Sequence, residues 1–350
     1  LMCYKNKLDP KTKLLVMVKA ASYGAGLREV TSFLAENNVD YLGVAFTDEG
    51  LALRKEEVSL PIMVMNPDET YFSKGVKANL EPVVHSLEHL DAIIHVLINE
   101  NKKNYPIHIK LNTGMNRLGM SKDDIRFLLD TIKAQPEVQV KSVLSHFSNA
   151  DKVEMDSFTK DQFSCFIEMA NALEAGLGYS IDRHICNSNA ALRFPEFHLD
   201  MIRLGIGIHG ISVSNKSLAM TMKLKSYISQ IRTVEKGSFI GYGNSYKTNE
   251  TLRIGIIPMG YADGITRSFG KNGGFVFVNK RKCNVIGDVC MDMLMIDLSL
   301  ISEKEVANGD EVEFFGENIS INEHALAQGT ISYEVISRLS ERVSRVYLRE

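Results

Sequence analysis

Short apolar runs recur through about the first two hundred residues of the chain: "LLVMV" (14–18), "YLGVA" (41–45), "PIMVM" (61–65), "LEPVV" (80–84), "IHIKL" (107–111), "VKSVLSH" (140–146), "DRHIC" (182–186) and "GIGIHGI" (205–211). Between them lie stretches with apolar residues at helical spacing, such as "REVTSFLAENN", "LDAIIHVLINE", "DDIRFLLDTIKA" and "DQFSCFIEMANALEAG". Strands that alternate with helices eight times predict an α/β domain, a (β/α)8 barrel of the TIM type, over residues 1–218. A doubly wound open sheet is the alternative. Its glycine fingerprint GxGxxG is not found after the first strand.

From about residue 219 the rhythm changes. "LKSYISQIRTV", "SFIGYG", "LRIGIIPM", "FVFVN", "KCNVIGDV", "MLMIDL" and "EVEFF" are closely spaced strands broken by Gly, Asn and Asp, with helix only in "NEHALAQ" and "YEVISRLSERV". Residues 219–350 are therefore expected to form a second, mostly β domain.

Composition narrows the function classes. The 350 residues are 45% hydrophobic and 24% charged with a net charge of -3, the profile of an ordinary globular protein. No basic excess points to nucleic acid and no apolar run has the length of a membrane span. The five cysteines form no CxxC pair, so neither a disulfide framework nor a metal site is indicated, and a cytoplasmic location is expected.

Active sites of such barrels lie at the C-terminal ends of the strands. Lys19 ends the first run, Arg117 follows the fifth, His146 ends the sixth, Asn187 and Ser188 follow the seventh, and Arg203 enters the eighth with Gly205 behind it. Taken singly, Lys19 reads as a solvated strand end, His146 as a core histidine and Ser188 as a helix cap. Taken together on one rim they offer a lysine, two arginines and a set of backbone N–H groups suited to a phosphate. That combination points to pyridoxal 5'-phosphate chemistry, with the lysine holding the aldehyde and the ring accepting electrons from a carbanion.

"VMVKAASYGAG" resembles the cofactor-lysine motif of alanine racemases. "KLNTGMNRLG", "SHFSNAD", "CNSNAAL", "MIRLGIGIHG", "IGYGNSY", "IPMGYADG", "GDVCMDMLMIDL" and "ISYEV" resemble further motifs of that family in the same order, across both domains. The "KAASYG" variant and the short start look more like the racemase portion fused behind a muramyl-peptide ligase in some bacteria.

The resemblance implies roles residue by residue. Lys19 would hold the cofactor and act as one catalytic base, and Tyr242 of "GYGNSY" as the other, on the opposite face of the substrate. Tyr23, Ser188, Tyr333 and the backbone of Gly205 and Ile206 would hold the phosphate, with Asn187 beside them. Arg203 would face the ring nitrogen, which a guanidinium leaves unprotonated because it does not readily yield its own proton. His146 would connect Arg203 to Tyr242. Arg117, Tyr261, Met291 and Asp292 would serve the substrate carboxylate and the mouth of the site. Tyr242, Tyr261, Met291 and Asp292 would come from the partner subunit, making a head-to-tail homodimer a condition of activity. Lys110 matches a lysine that many members carry as a carbamate. Asn112 stands where an aspartate is common, and His209 where a phenol is common.

The activity so implied is interconversion of L-alanine and D-alanine by two-base proton transfer, supplying D-alanine for peptidoglycan. A racemase that also takes serine, and a non-catalytic pyridoxal phosphate-binding barrel, are the alternatives. The second domain with its tyrosine speaks against the latter, and Arg203 speaks against a decarboxylase of related fold.

Overall fold

The computed structural model describes residues 1–212 and 218–348. The chain divides into two compact units, Leu1–Leu218 and Ala219–Glu350.

In the first unit eight parallel strands form a barrel: β1 (Lys13–Met17), β2 (Tyr41–Val44), β3 (Ile62–Val64), β4 (Leu80–Val84), β5 (Tyr105–Lys110), β6 (Val138–Leu144), β7 (Asp182–His184) and β8 (Met201–Leu204). Each pairs with the next from β1 to β7, and β8 returns to pair with β1. The seam between β7 and β8 is closed by single bonds, Asp200 N–H to the Arg183 carbonyl at 3.2 Å and Arg203 N–H to the Cys186 carbonyl at 3.0 Å. Helices Leu27–Glu36, Leu87–Asn99, Asp124–Ala134 and Asp156–Leu177 occupy the segments with helical spacing.

Strand alternation sorts the side chains. Leu14, Val16, Val18, Leu42, Val44, Ile107, Ile109, Ile202 and Leu204 all belong to the large core packed beneath the helices. Each such fully buried aliphatic side chain contributes ~1.5–3 kcal/mol. The opposite parity faces the lumen, which places Leu15, Met17 and Lys19 on one inward row. Gly43 fits that reading, since a Cβ there would stand 2.5 Å from Met17 Sδ and 2.8 Å from a Leu15 methyl. Much of the lumen is polar: Glu81, His108, Ser142, His184 and Arg203 are all buried.

The eighth strand lies earlier than the apolar run 205–211. Gly205 (φ -125, ψ -106) ends it, residues Ile206–His209 form a 3-10 turn, and Gly210 closes that turn in the left-handed region at φ 73. The run is apolar because Ile206 and Ile211 are buried, and its glycines bend it out of the sheet. Arg203 is consequently a strand residue.

The second unit holds an antiparallel sheet in the order β10-β13-β16-β15-β14-β17-β9. Its strands are β9 (Leu224–Tyr227), β10 (Gln230–Val234), β13 (Leu252–Ile257), β14 (Phe275–Val278), β15 (Arg281–Ile286), β16 (Leu294–Asp297) and β17 (Glu311–Phe315), and β11 (Phe239–Ile240) pairs with β12 (Tyr246–Lys247) as a separate ribbon. Ser320 and Glu323 form a capping box that starts helix Ile321–Ala327. The last helix, Ser332–Ser337, stops short of the spacing in "YEVISRLSERV". The Arg345 guanidinium donates to the carbonyls of Ser340 (2.6 Å), Val343 (2.6 Å) and Leu339 (3.0 Å), which fixes them in a non-helical path.

Candidate active site

Lys19 sits at the C-terminal end of β1 in an unusual piece of backbone. Ala20, Ala21, Ser22 and Tyr23 have φ of 51, 50, 54 and 56, a full left-handed turn made by residues other than glycine. Such a turn costs ~1–2 kcal/mol per residue and persists only where its surroundings enforce it. The Glu49 carboxylate supplies part of that enforcement. It accepts from Ala20 N–H at 2.6 Å on one oxygen and from Ala45 N–H at 2.7 Å on the other, which ties the lysine turn to the end of β2.

The lysine stands among other cations. Its pKa is lowered first by burial and then by the positive charge of Arg117, with Glu49 acting in the opposite sense. Lys110, at the inward end of β5, is pushed down to about 8 by burial and by Arg117, Arg203 and Lys19. His146 is held well below its usual range by burial first, then by the same four cations. Four cations gathered at one barrel end, with Lys19 and Lys110 lowered by the charges around them, mark a cavity built to receive an anion.

Arg203 is the most fully engaged of them. Its Nη1 donates to His184 Nδ1 (2.9 Å) and to the His184 carbonyl (3.0 Å), and its Nη2 to the carbonyls of Ser145 (2.6 Å) and Ile185 (3.2 Å) and to His146 Nδ1 (3.2 Å). Among the described residues no acceptor meets its Nε–H. Burial pushes its pKa down to about 10, so it remains a cation at neutral pH.

On the neighbouring part of the rim, after β7, Asn187 caps the short helix Ser188–Arg193 through a bond from Ala190 N–H at 3.0 Å. Ser188 Oγ accepts from Gly205 N–H (2.9 Å) and Gly207 N–H (3.3 Å), gathering this hydroxyl and the Gly205–Ile206–Gly207 backbone in one place. Tyr23 completes the group. A Cβ on Gly205 would stand 2.3 Å from Tyr23 Oη, so only glycine allows the phenol to reach this position. The Tyr23 and Ser188 hydroxyls and the Gly205–Ile206 backbone beside several cations fit the phosphate and ring oxygen of pyridoxal phosphate. Lys19 would hold its aldehyde carbon and Arg203 Nε would lie toward its ring nitrogen.

The remaining candidates belong to the second unit. Tyr242 lies in the turn Tyr242–Asn244 between Gly241 (φ 78) and Gly243 (φ 66), and is 72% exposed. It lines a groove of about 610 Å³ with Phe239, Ile240, Cys290, Met293 and Met295. Tyr261 and Met291 are tied together, because Tyr261 N–H donates to the Cys290 carbonyl and Ala262 N–H to the Met291 carbonyl, each at 3.0 Å. Arg342 holds Asp292 at 2.7 Å. Tyr333 is half-exposed on the last helix.

Glu49, His85 and His184 also belong to the surroundings of the site, beyond the residues that the sequence motifs mark. Glu49 carries a visible signal, the N3 acid of the "TDEG" helix start. His85 extends the inward row of β4, stacks on His89 with ring centroids 4.2 Å apart, and is pushed down to about 4 by burial, by His89 and by Lys110. His184 reads in sequence as one letter in a strand, and only the fold places it against Arg203.

A closed parallel barrel with a lysine on a cationic rim and a hydroxyl and glycine cradle beside it defines a lysine-dependent barrel enzyme for an anionic cofactor. Residues 2–213 match the family model described as alanine racemase, N-terminal domain, and residues 221–347 that of alanine racemase, C-terminal domain. Alanine racemase 1 of Oceanobacillus iheyensis is 36% identical over 99% of this chain and 94% of its own length. The solved alanine racemase of Clostridium difficile superposes with a TM-score of 0.91 at 33% identity, over 99% of this chain and 91% of that one. An alanine racemase from Bartonella henselae with covalently bound pyridoxal phosphate shares the fold with a TM-score of 0.90 at 24% identity, over 99% and 95% of the two chains. The chain belongs to the alanine racemase family, isomerases that interconvert L-alanine and D-alanine.

Proposed function

We propose that this chain racemises alanine with pyridoxal 5'-phosphate held by Lys19, moving a proton between Lys19 on one face of the substrate and Tyr242 of a partner subunit on the other. The observation that carries the proposal is the position of Lys19, whose amine stands among mutually repelling cations beside the cradle of Tyr23, Ser188 and Gly205. Bound pyridoxal phosphate supplies an electron sink that allows the Cα proton of the amino acid to leave.

The chain's own groups do the rest. Burial and Arg117 lower the affinity of Lys19 for its proton, which brings its amine toward the range of a working base. Arg203 stays charged and donates without surrendering a proton, so the ring nitrogen gains no full positive charge. That restrains the electron sink and favours return of the proton over side reactions. Arg117 is exposed on the rim loop after β5, placed to receive the substrate carboxylate and to orient the cofactor oxygen. Lys110, with a pKa of about 8, carries enough neutral amine near neutrality to take up carbon dioxide, and the resulting anionic carbamate would offset Arg117 and Lys19.

The second base needs a head-to-tail homodimer. Tyr242 is exposed on a glycine-flanked turn, with Tyr261, Met291 and Asp292 also on the surface of the second unit. Tyr333 of the same unit is assigned to the phosphate, and His146 to the link between Tyr242 and Arg203. No helix among the described residues is long and apolar enough to cross a membrane. We assign the activity to the cytoplasm, which suits five unpaired cysteines, and its product to the supply of D-alanine for peptidoglycan.

The test is the rate of D-alanine formation from L-alanine by the purified protein with added pyridoxal phosphate, with L-serine in parallel. The Lys19→Ala variant should lose both the activity and the visible absorbance of the bound cofactor. Racemisation that survives in that variant would exclude the proposal.

A further inference from the structure

The lumen beneath the site holds a continuous polar chain contributed by five successive strands. Glu81 on β4 accepts from His108 Nε2 of β5 at 2.9 Å, and His108 Nδ1 meets Ser142 Oγ of β6 at 2.6 Å. Ser142 Oγ meets His184 Nε2 of β7 at 2.9 Å, and His184 Nδ1 meets Arg203 Nη1 of β8 at 2.9 Å. Relative exposures of 8, 0, 0, 0 and 4% leave no room for water to substitute for a missing partner.

Chemistry fixes the direction of every bond. Arg203 can only donate, so His184 Nδ1 is an acceptor and its proton lies on Nε2. Ser142 Oγ then receives that proton's bond and donates its own hydrogen to His108 Nδ1. His108 in turn carries its proton on Nε2 and gives it to the Glu81 carboxylate, which has lone pairs to accept it. Burial holds both imidazoles neutral. The chain therefore runs from a guanidinium to a carboxylate without a break or a reversal.

The far end is built as carefully as the near one. Tyr41 Oη donates to Glu81 at 3.1 Å and Lys141 Nζ to the other oxygen at 3.0 Å. Lys141 and Ser142 both face the lumen because β6 carries an extra residue there: Ile107 pairs with Val140 and His108 with Ser142, leaving Lys141 unpaired between them. A bulge that keeps two consecutive side chains, Lys141 and Ser142, on the lumen side is a specific arrangement, since ordinary strand alternation would send one of them the other way.

We propose that Glu81, His108, Ser142 and His184 act as a positioning chain for Arg203, locking the proton positions around its guanidinium so that Nε–H alone remains to meet the cofactor ring nitrogen. The inference rests on the reading of the site as one for pyridoxal phosphate. Ordinary packing would not need it, because a barrel lumen is satisfied by branched aliphatic side chains, and a buried polar chain is tolerable only when every member is paired.

The experiment uses the holoenzyme with 15N-labelled histidine and a cofactor labelled at its ring nitrogen. In the wild type, His108 and His184 should both appear as neutral Nε2–H tautomers, unchanged from about pH 6 to about pH 9. An Nδ1–H tautomer at either position would overturn the proposal, whatever the variants do. Ser142→Ala, which breaks the chain without altering charge, should shift the ring-nitrogen resonance and lower kcat about tenfold with KM within about twofold. Glu81→Gln, which removes the terminal charge, should do the same. Variants that fold less stably yet keep the ring-nitrogen resonance and kcat would assign the chain to stability alone. A wild type that never takes up the cofactor would instead contradict the proposed function, and the histidine tautomers would still decide whether the chain is directed as described.

Discussion

The Glu49 carboxylate accepts the N–H of Ala20 at 2.6 Å and so grips the residue next to Lys19. It is the tie that joins the left-handed lysine turn to the neighbouring strand end, and it also provides a negative charge near the amine. Glu49→Gln keeps the shape but loses the charge and leaves one of the two strand-end amides without its acceptor. Loss of a buried or partly buried charged acceptor costs about 1–3 kcal/mol, which urea unfolding should register. The pKa of Lys19 should fall further in the variant, because the removed charge favoured its ammonium form. An unchanged unfolding midpoint would show that the turn is held by other contacts.

Gly205 is required by Tyr23, whose Oη would stand 2.3 Å from a Cβ. Gly205→Ala should therefore push the phenol out of the cradle, destabilise the protein by about 1–3 kcal/mol and weaken the affinity for pyridoxal phosphate, measured by fluorescence titration. Tyr23→Phe removes the clashing oxygen. In the double variant the stability losses should be less than additive, and full additivity would mean that the two residues do not meet.

Lys110 predicts a pH dependence. Its folded pKa of about 8 lies below the ordinary 10.5, so between these values the unfolded chain binds more protons and stability rises with pH. The destabilisation is complete below pH 8 and disappears as the pH passes 10.5. In bicarbonate-free buffer, Lys110→Met should thus be more stable than the wild type near neutrality, with the advantage shrinking across that window. Added bicarbonate should raise the melting temperature of the wild type through carbamate formation and leave Lys110→Met unmoved. A bicarbonate effect of equal size in both would exclude Lys110 as the site.

Tyr242 supplies a directional test. Tyr242→Phe should slow exchange of the Cα hydrogen of L-alanine into deuterated water far more than that of D-alanine, if Lys19 serves the other face as proposed. Equal slowing of both would contradict the two-base assignment. Mixing inactive Lys19→Ala and Tyr242→Phe subunits should restore activity, because in a shared-site dimer each mixed pair contains one site with both intact residues. Continued inactivity after subunit exchange would place Tyr242 and Lys19 of one site on the same chain.

Much of this was legible in the letters. Alternating runs yielded the barrel because every helix-facing strand residue must be apolar, and the ordered motifs located Lys19, Ser188 and Arg203. The eighth strand was misplaced because "GIGIHGI" is as apolar as a strand, and only its glycine conformations reveal a turn. The polar lumen had left a trace: "IHIKL" alternates perfectly, with His108 and Lys110 on the inward parity. Its partners could not be found without the fold, since Glu81 and His184 are remote in sequence and are linked only through the pairing of β4 to β7. Glu49 escaped notice for a related reason. A helix-starting acid is so common that nothing in its local sequence distinguishes a cap from a brace on the neighbouring strand.

Whether Lys19 is the residue that holds the cofactor can be read chemically. The protein loaded with pyridoxal phosphate is reduced with borohydride, which fixes the cofactor to the lysine that carries it, then digested and mapped by mass. A single pyridoxyl label on Lys19 is expected, lost when excess D-alanine is added before reduction. A label on Lys110 instead, or no stable label on a protein that still racemises alanine, would contradict it.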